Sequence, residues 1–387
     1  MGREAEKRYE AVFVGGGAIG LACAWRAARR GMRVSVLERD RPAAGASGVA
    51  AGMLAPVGEA SWGEEKLLAL NSESLRRWPE FAEQLERESG AEVEFAQRGA
   101  LHLALDRDEA EELRRRYELH RQLGLDSEWL TGRACRALEP GLAPAVRGGV
   151  HVPGEATVDP RRVVAALLGA LERLDVAVHS GAEVVSGSRA AGSWRLRTRD
   201  GRELGAETVV VTAGCWSGQL DWLPEDVRPP VRPVKGEILT LRGAAEEPVC
   251  ERIVAGERVY MVPRADGRLV VGATVEEHGF DTTLTAGGVH ELLREAYRLL
   301  PEIAELELLE ATVGLRPGTP DNAPLIGRAG DGLLVATGHF RNGILQAPVT
   351  ADSLAALLAG EPAPVDLEPF SPERFGGQTI TPPLEVA

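Results

Sequence analysis

Lysine is nearly absent from this chain of 387 residues, which has 44 lysines and arginines together but only three lysines, Lys7, Lys66 and Lys235. Acidic residues outnumber basic ones, and the formal net charge is −14. Binding to the phosphates of a nucleic acid needs clustered positive charge. Here the basic residues are spread among more numerous acids, so we expect no nucleic-acid partner and interpret the acidic surface as a solvated one.

Cysteine is scarce as well. The four cysteines, Cys23, Cys135, Cys215 and Cys250, are scattered without a C-x-x-C pair, and the seven histidines form no H-E-x-x-H or H-x-H motif. Structural zinc sites and disulfide frameworks both require closely spaced ligands or cysteines. The sequence therefore predicts neither a metal site nor a disulfide framework.

Long apolar runs are missing too. No stretch approaches the roughly 20 apolar residues that a transmembrane helix needs, and residues 1–8 are charged and lack the apolar centre of a secretion signal. The hydrophobic content of 44% is nevertheless sufficient for a large core, which at this length suggests two domains. We expect a cytoplasmic protein with no membrane partner.

The strongest positive signal lies in residues 9–38, which read strand, glycine turn, helix and strand. In the turn, Gly15 permits a sharp change of direction, Gly17 lets the backbone approach a pyrophosphate, and Gly20 lets the helix pack on the strand. A diphosphate would lie at the N-terminus of that helix. Glu38, at the end of the second strand, is placed to accept hydrogen bonds from the ribose hydroxyls of an adenosine. This combination predicts a dinucleotide site.

After residue 40 the pattern departs from the contiguous six-strand domain of nicotinamide dehydrogenases. A segment rich in small residues at 40–61 comes first, and later segments are interpreted as helices or strands from their periodicity and turn residues. We expect helices around 64–89, 108–123, 160–174, 286–300 and 343–358, strands near 182–186, 306–315 and 332–336, a buried strand opening 207–218, and four antiparallel strands within 228–274. The Pro/Gly-rich residues 361–387 are expected to be loosely held.

Six ordered blocks carry a family resemblance: GGGAIG, ASGVAAGMLAP, VRPVKGEI, VYMVPRADGRLVVGATVEEHGF, GLRPGTPDNAPLIG and ATGHFRNGILQAP. From about residue 9 to 375 the chain resembles the FAD-dependent amino acid oxidases (the D-amino acid oxidase-like family), most closely their glycine oxidase branch from thiamine biosynthesis. The resemblance implies an α/β fold in which a Rossmann-like FAD-binding domain carries an inserted antiparallel-sheet substrate domain. It also implies FAD bound without a covalent link.

The resemblance and the interruptions in the pattern together imply a discontinuous domain organisation. We expect the FAD-binding domain at 9–90, 155–225 and 310–360, the substrate-binding domain at 91–154 and 226–309, and a C-terminal tail at 361–387. The expected partners are a small amino acid, dioxygen and further copies of the chain in a homo-oligomer.

Carried over position by position, the resemblance assigns FAD contacts to a set of turn and loop residues. They are Gly15, Gly17, Ala18, Ile19, Gly20, Glu38, Arg39, Ala46, Ser47, Ala51, Gly52, Met53, Val184, His339, Phe340, Arg341, Asn342, Gly343, Ile344 and Leu345. A helix beginning at Gly343, with Asn342 as its N-cap, would direct its positive end at the anion that develops on the reduced flavin ring. Apart from His339, the loops offer no residue suited to covalent attachment.

The resemblance implies that Arg316 pairs with the substrate carboxylate through two parallel hydrogen bonds. From the residues alone, this role and a surface salt bridge are equally compatible with the sequence. Tyr260 is expected to donate to the same carboxylate, although a tyrosine packed in the core with its hydroxyl at the surface is the alternative. Arg341 is expected near the amine end or the ring. Met53 and Val275 are expected near the substrate α-carbon, the latter replacing a methionine of the glycine-specific pattern.

The implied reaction is FAD-dependent oxidative deamination of glycine, with sarcosine or small D-amino acids as possible further substrates. Its products are the 2-oxo acid (glyoxylate from glycine), ammonia and hydrogen peroxide, and its imine supplies thiamine thiazole synthesis. Hydride transfer to flavin depends on positioning, so no acid or base residue is assigned. Two alternatives remain: a D-amino acid or proline dehydrogenase that passes electrons to a quinone or partner subunit, and a non-catalytic accessory flavoprotein.

Overall fold

A computed structural model describes residues 8–375, which form two large β-sheets with helices packed around them. The strands are β1 (Arg8–Val14), β2 (Val34–Leu37), β3 (Met53–Leu54), β4 (Ala100–Ala104), β5 (Glu128–Thr131), β6 (Gly148–Val152), β7 (Ala156–Thr157), β8 (Ala177–His179), β9 (Val184–Ala190), β10 (Ser193–Thr198), β11 (Glu203–Val211), β12 (Arg232–Arg242), β13 (Ile253–Ala255), β14 (Tyr260–Pro263), β15 (Arg268–Gly272), β16 (Glu307–Gly318), β17 (Leu325–Gly330) and β18 (Leu333–Thr337). The helices are α1 (Ala18–Arg29), α2 (Glu65–Ser89), α3 (Arg107–Gln122), α4 (Gly132–Leu138), α5 (Pro160–Arg173), α6 (Ala286–Leu299) and α7 (Ala347–Leu358).

The first sheet has the order β17-β18-β11-β1-β2-β8, and the pairs from β18 to β8 are parallel. The strand β11 pairs with β1 along one edge. Along its other edge it pairs with β10 through its first residues and with β18 through its last residues. The second half of β1, residues 11–14, and all of β2 are buried and almost wholly apolar, as expected for parallel strands covered on both faces. Helices α1, α2, α5 and α7 share one core with this sheet.

The close packing of α1 on β1 depends on Gly20. A side chain at this position would overlap the carbonyl oxygen of Gly15 and the hydroxyl of Thr212. Gly15 itself has a φ of +118°, a conformation that side chains rarely adopt. The turn and the helix therefore follow the predicted glycine roles.

The second sheet has the order β16-β12-β15-β14-β13-β4-β6-β5 and is antiparallel except where β13 meets β4. Its centre consists of the four predicted antiparallel strands β12, β13, β14 and β15. Strands β13, β14 and β15 pair in chain order, whereas β12 pairs with β15 and β16 rather than with β13, so the four strands do not form a simple meander. The α/β class with a Rossmann-like part and an antiparallel-sheet part is thus confirmed. Strand β16 lies wholly in the second sheet, so the proposed domain boundary at residue 310 falls inside one element.

The last helix begins later than predicted. Helix α7 starts at Ala347 with Gln346 as its N-cap, rather than at Gly343 with Asn342 as its N-cap. The reason is Pro348, which has no N–H to donate and fits only the first turn of a helix. A helix beginning at Gly343 would place this proline in its second turn.

Residues 361–375 are also more ordered than predicted. Phe370 is 3% exposed and packs into the core of the first sheet, and Arg374 pairs with Asp321 at 2.9 Å. The expectation of a loose tail is therefore wrong for this part, because its apolar and charged side chains have specific partners. The rest of the predicted tail, residues 376–387, lies outside the described residues. Between residues 8 and 375, no helix has the length and apolarity needed to cross a membrane.

Asp159 joins α5 to the second sheet. Its buried carboxylate accepts hydrogen bonds from the N–H groups of Arg161 and Arg162 at 2.9 and 3.2 Å, which makes it the helix N-cap. It also pairs with the Arg268 guanidinium at 2.7 Å. Burial by itself would raise the pKa of Asp159, but the hydrogen bond from Arg268 and the other contacts outweigh burial and lower it.

We expect Asp159→Ala to lower the free energy of unfolding by about 2–4 kcal/mol, because it removes both a cap and one of the two carboxylates, with Asp266, that pair with the Arg268 guanidinium. Urea unfolding at neutral pH measures this loss. Asp106→Ala is the matched control, since Asp106 caps α3 through two N–H groups but has no such partner. Equal losses in the two variants would show that the Arg268 pair contributes nothing.

The stabilisation by Asp159 depends on pH. Because folding lowers the pKa of the Asp159 carboxyl, its contribution to the free energy of unfolding is present at neutral pH and is lost as the pH falls through the lowered pKa.

Candidate active site

A cavity of about 630 Å³ lies between the two sheets. One wall is formed by the glycine turn after β1, the end of β2 and the small-residue segment around 43–53. The opposite wall contains Ile238, Tyr260 and Arg316 from β12, β14 and β16. The carboxyl ends of β1, β2 and β11 meet at this place, which is where open α/β sheets bind nucleotides.

The N-terminus of α1 lies at the cavity. Its N-cap residue, Gly17, has no side chain to cap the helix, and the first N–H, from Ala18, is donated to the Ser47 hydroxyl at 3.0 Å. Gly17, Ala18, Ile19 and Ser47 all line the cavity. Unpartnered N–H groups at the positive end of a helix bind phosphate groups well.

Glu38 is held rigidly at the end of β2. One carboxylate oxygen accepts the N–H of Gly16 at 2.7 Å and the other accepts the N–H of Asp40 at 2.9 Å. Each oxygen keeps a further lone pair, and the residue lines the cavity. The carboxylate is thus oriented to accept from a pair of ligand hydroxyls.

The segment after β11 forms another part of the cavity wall, and the sequence analysis assigned none of its residues to the site. Trp216 lines the cavity, and the Arg39 guanidinium lies 3.8 Å from the centroid of its ring. Cys215 also lines it, and burial raises the pKa of this thiol to about 12, so it is neutral at physiological pH. The available signal was the buried strand that runs into a glycine turn at the same sheet edge as Gly15.

The loop after β18 closes the cavity on another side. Phe340 has a φ of +47° and donates its N–H to the Pro317 carbonyl at 3.0 Å, which ties this loop to the end of β16. His339 is buried, its Nε2 is 3.1 Å from the Thr350 hydroxyl, and burial lowers the pKa of its imidazole to about 3. The imidazole is therefore neutral and already has a hydrogen-bond partner.

The late start of α7 changes which N–H groups reach the cavity. The N–H of Ala347 bonds to the Ile344 carbonyl and that of Val349 to the Ser74 hydroxyl, so the helix end is satisfied within the protein. Gly343 and Ile344 line the cavity, and within residues 8–375 neither of their N–H groups has a protein acceptor. The turn, rather than the helix end, is the feature that can stabilise negative charge here.

At the substrate end of the cavity, Arg316 is half-buried and lies across Gly236 of the neighbouring strand, where any side chain would overlap its guanidinium. One nitrogen, Nη1, donates to the carbonyls of Lys235 and Thr274 at 3.2 and 3.0 Å. Within the described part of the chain no carboxylate forms an ion pair with Arg316. The other guanidinium nitrogens remain available to an anion in the cavity.

Tyr260 and Met53 accompany Arg316. The Tyr260 ring lies over Gly272, and Met53 packs in the same small apolar cluster as Tyr260. Burial raises the pKa of the Tyr260 hydroxyl, while the Arg316 guanidinium acts in the opposite direction; the net shift is upward. The hydroxyl therefore stays protonated and able to donate at neutral pH.

Arg341 lies at the same end, and its Nε is 4.0 Å from a carboxylate oxygen of Glu59. Glu59 also lines the cavity and was not among the predicted site residues. A lone acid after the apolar GMLAPVG segment was the only sequence signal for it.

Three predicted site residues do not line the cavity. Val275 is 62% exposed, because its neighbours Thr274 and Glu276 bond to β12 and an alternating chain then directs Val275 to solvent. Its expected place near the substrate is therefore wrong. Gly20 serves helix packing, and the side chain of Leu345 is buried in the core while its carbonyl accepts from Ser74 and Trp78. The other predicted residues line the cavity.

These features fit FAD. The N-terminus of α1, the fixed Glu38 carboxylate and the N–H groups of the 343–344 turn are spread along a single cavity, as a dinucleotide with a polar ring system requires. The glycine-lined turn leaves room for close backbone approach. The class defined by the fold and the cavity is that of a flavin-binding oxidoreductase.

Comparison with known proteins makes the class specific. The family model described as FAD dependent oxidoreductase (DAO) matches residues 10–357, and the chain belongs to this family. Glycine oxidase of Geobacillus kaustophilus is 35% identical over 376 residues, covering 96% of this chain and 98% of that protein. Its crystal structure superposes with a TM-score of 0.88 at 34% identity, over 94% of this chain and 98% of the other.

A second relative is the bifunctional protein ThiO/ThiG of Synechocystis sp. It is 35% identical over 381 residues, which cover 97% of this chain but 55% of the longer protein. With these relatives, the chain stands among the FAD-dependent amino acid oxidases.

The fixed Glu38 carboxylate leads to a prediction about cofactor retention. Replacing Glu38 with Ala removes the proposed acceptor for ribose hydroxyls and the hydrogen bond from the Gly16 N–H, and we expect FAD affinity to fall on the order of tenfold or more. Ultrafiltration of purified protein, with flavin absorbance in the filtrate, measures the loss. The amino acid affinity of the fraction that keeps FAD is expected to stay within about twofold, since Glu38 and Arg316 share no hydrogen-bond partner among the described residues. Parental FAD occupancy in the variant would contradict this assignment.

Proposed function

We propose that this protein is a cytoplasmic glycine oxidase, which oxidises glycine, and secondarily sarcosine or small D-amino acids, with dioxygen as electron acceptor. The products are glyoxylate, ammonia and hydrogen peroxide when glycine is the substrate. The imine formed first is the species that a thiazole synthase would use, and the 35% identity to the bifunctional ThiO/ThiG protein supports this role.

The observation that carries the proposal is the unpaired state of Arg316. A half-buried guanidinium without a carboxylate partner is costly unless an anion occupies the site. Arg316 lies beside a protonated tyrosine hydroxyl, and its Nη1 is already fixed by two carbonyls. This arrangement suits a carboxylate that accepts two parallel bonds from the guanidinium and one from Tyr260.

The pocket around this anion site supports a small substrate. Met53, Ile238 and Tyr260 belong to one apolar cluster beside Arg316, which limits the space for a side chain on the α-carbon. Arg341 and Glu59 lie at the polar side of the same region. Size selection of this type is worth about 1–3 kcal/mol per methylene, so glycine is favoured over bulkier amino acids without excluding them.

Bound FAD supplies the two-electron acceptor for oxidation of the amine. The role of the protein is to bind and orient: Arg316 and Tyr260 hold the carboxylate and thereby fix the α-carbon. The neutral imidazole of His339 adds no charge near the ring, and the N–H groups of Gly343 and Ile344 are available to stabilise negative charge there. No side chain is assigned as acid or base.

Arg316→Ala is the direct test. Leaving the substrate carboxylate unpaired in the pocket should weaken binding by about 2–5 kcal/mol. Arg316→Lys should recover only part of this loss, because an ammonium cannot make the planar two-point contact. The measurement is the rate of anaerobic flavin reduction across a range of glycine concentrations. FAD content should be unaltered in both variants.

Arg115→Ala is the matched control, since Arg115 is an exposed arginine on α3 that pairs only with Glu112. It should leave both affinity and rate unchanged. If Arg316→Ala is reduced with the parental apparent affinity, the carboxylate site lies elsewhere and the amino acid assignment loses its support.

A substrate panel tests the finer proposal. We expect glycine to give the highest kcat/KM among glycine, sarcosine, D-alanine and D-proline, with one hydrogen peroxide formed per amine oxidised under air. Peroxide is measured with a coupled peroxidase. Flavin reduction without peroxide, together with fast electron transfer to a quinone, would favour the dehydrogenase alternative. A clear preference for D-proline would contradict glycine as the main substrate.

A further inference from the structure

A buried cluster of charges lies behind Arg316. Gly236 faces the Arg316 guanidinium, so its neighbours on β12, Lys235 and Glu237, point to the opposite face of the strand. Their side chains are 1% and 0% exposed. The mechanism proposed above uses neither of them, and burial of such charges is costly unless they are well paired.

The cluster is extensively hydrogen-bonded. The Lys235 ammonium donates to Glu237 at 3.0 Å and to Glu276 at 3.2 Å. The same Glu237 oxygen accepts the N–H and the hydroxyl of Thr285, the N-cap of α6, at 2.9 and 3.0 Å. The Glu237 carboxylate therefore lies at the positive end of a helix, which stabilises its charge.

The cluster also holds a second chain segment against β12. The backbones of Lys235 and Glu276 exchange two hydrogen bonds of 2.8 and 3.0 Å, and the N–H of Glu237 donates to the Thr274 hydroxyl at 2.9 Å. The Thr274 hydroxyl in turn donates to Glu276 at 2.6 Å. Residues 274–276 are thus fixed in register beside β12.

This register matters because Arg316 spans the two segments. Its Nη1 donates to the carbonyl of Lys235 on β12 and to that of Thr274 on the held segment. The distance between these two carbonyls, and hence the orientation of the guanidinium plane, depends on how the segments are joined. Besides the backbone hydrogen bonds, the Lys235 side chain joins the two segments through its ion pair with Glu276, while its ion pair with Glu237 lies within β12 and holds the ammonium in place.

The choice of lysine at this position is informative within this chain. Arginine supplies all but three of the 44 basic residues, yet the buried cation at position 235 is a lysine. Burial opposes its charge, but the carboxylates of Glu237 and Glu276 outweigh burial and raise the pKa of the ammonium. A compact cation with rotatable donors fits between two carboxylates where a planar guanidinium would not.

We propose that Lys235 is a positioning residue for substrate recognition: by joining Glu237 to Glu276 it fixes the two carbonyls that orient Arg316 towards the substrate carboxylate. This inference rests on the proposed role of Arg316. A positioning role differs from a purely structural role in its dependence on Arg316. If Lys235 is a positioning residue, its replacement weakens carboxylate binding only while Arg316 is present. If Lys235 is only structural, its replacement has the same effect on stability and binding whatever residue stands at position 316.

A double-mutant cycle separates these cases. The holoenzymes are the parent, Lys235→Met, Arg316→Ala and the double variant, and the probe is glycolate, a carboxylate that carries a hydroxyl in place of the amine. Its dissociation constant is read from the change it causes in the flavin absorbance spectrum. Flavin content and melting temperature are recorded for each variant.

We expect Lys235→Met to raise the glycolate dissociation constant on the order of tenfold in the parent, the size typical of coupled neighbours, and by less than about twofold in the Arg316→Ala background. Lys66→Met is the matched control, because Lys66 is an exposed lysine on α2 and should change nothing. Glu276→Gln breaks one of the two ion pairs with nearly the same shape. It should give a severalfold weakening that also vanishes without Arg316, and it carries the test if Lys235→Met does not fold.

The outcomes are distinct. Equal weakening by Lys235→Met, or by Glu276→Gln, in both backgrounds would overturn the positioning role, as would parental glycolate affinity in a folded Lys235→Met holoenzyme. If Arg316→Ala alone leaves glycolate binding unchanged, the proposed carboxylate site itself is wrong and this inference falls with it. Weakening by Arg316→Ala without any effect of Lys235→Met would overturn only the inference.

Discussion

The antiparallel pairing of β12 with β16 is the constraint on which the substrate end of the cavity depends. Its register sets Gly236 opposite Gly314 and Val234 opposite Arg316, so the guanidinium crosses diagonally onto the bare backbone of Gly236. A slip of one residue would turn Arg316 to the other face and put a side chain beneath it. The same alternation sends Lys235 and Glu237 to the opposite face. Strand β12 thus exposes the backbone of Gly236 on the face towards Arg316 and carries the buried charges of Lys235 and Glu237 on its other face.

Much of this arrangement could be predicted from the sequence, because local rules determine it. The β1-α1-β2 unit, the strands of residues 228–274 and the Asp159 cap all follow from residues close together in the chain, whereas the pairing of β12 with β15 instead of β13 does not. Trp216 and Glu59 could not be assigned to the site in this way, since only tertiary packing brings them to the cavity. The error at Val275 arose because the face of an extended segment depends on its partner strand. The error at the start of α7 was avoidable, since Pro348 marks the first turn.

In the proposed function, the two ends of the cavity recognise their ligands by different means. At the nucleotide end, backbone N–H groups and a carboxylate that is itself held by backbone N–H groups provide the contacts. Such contacts depend on the course of the chain, so side-chain changes elsewhere disturb them little. At the substrate end the contacts come from charged and polar side chains, Arg316 and Tyr260 above all. Cofactor retention and amino acid affinity should accordingly respond to separate sets of substitutions.

Charge balance at the substrate end supports the proposal that Arg316, rather than Arg341, takes the carboxylate. The Arg341 side chain is 44% exposed and lies 4.0 Å from Glu59, so solvent and a carboxylate already compensate its charge. Lys235 is compensated by Glu237 and Glu276. His339 is neutral, because burial lowers its pKa to about 3. Arg316 remains as the cation without an anionic protein partner in this region of residues 8–375. In the proposed function, an incoming amino acid therefore gains most by placing its carboxylate there, and its amine end would then point towards the rest of the cavity.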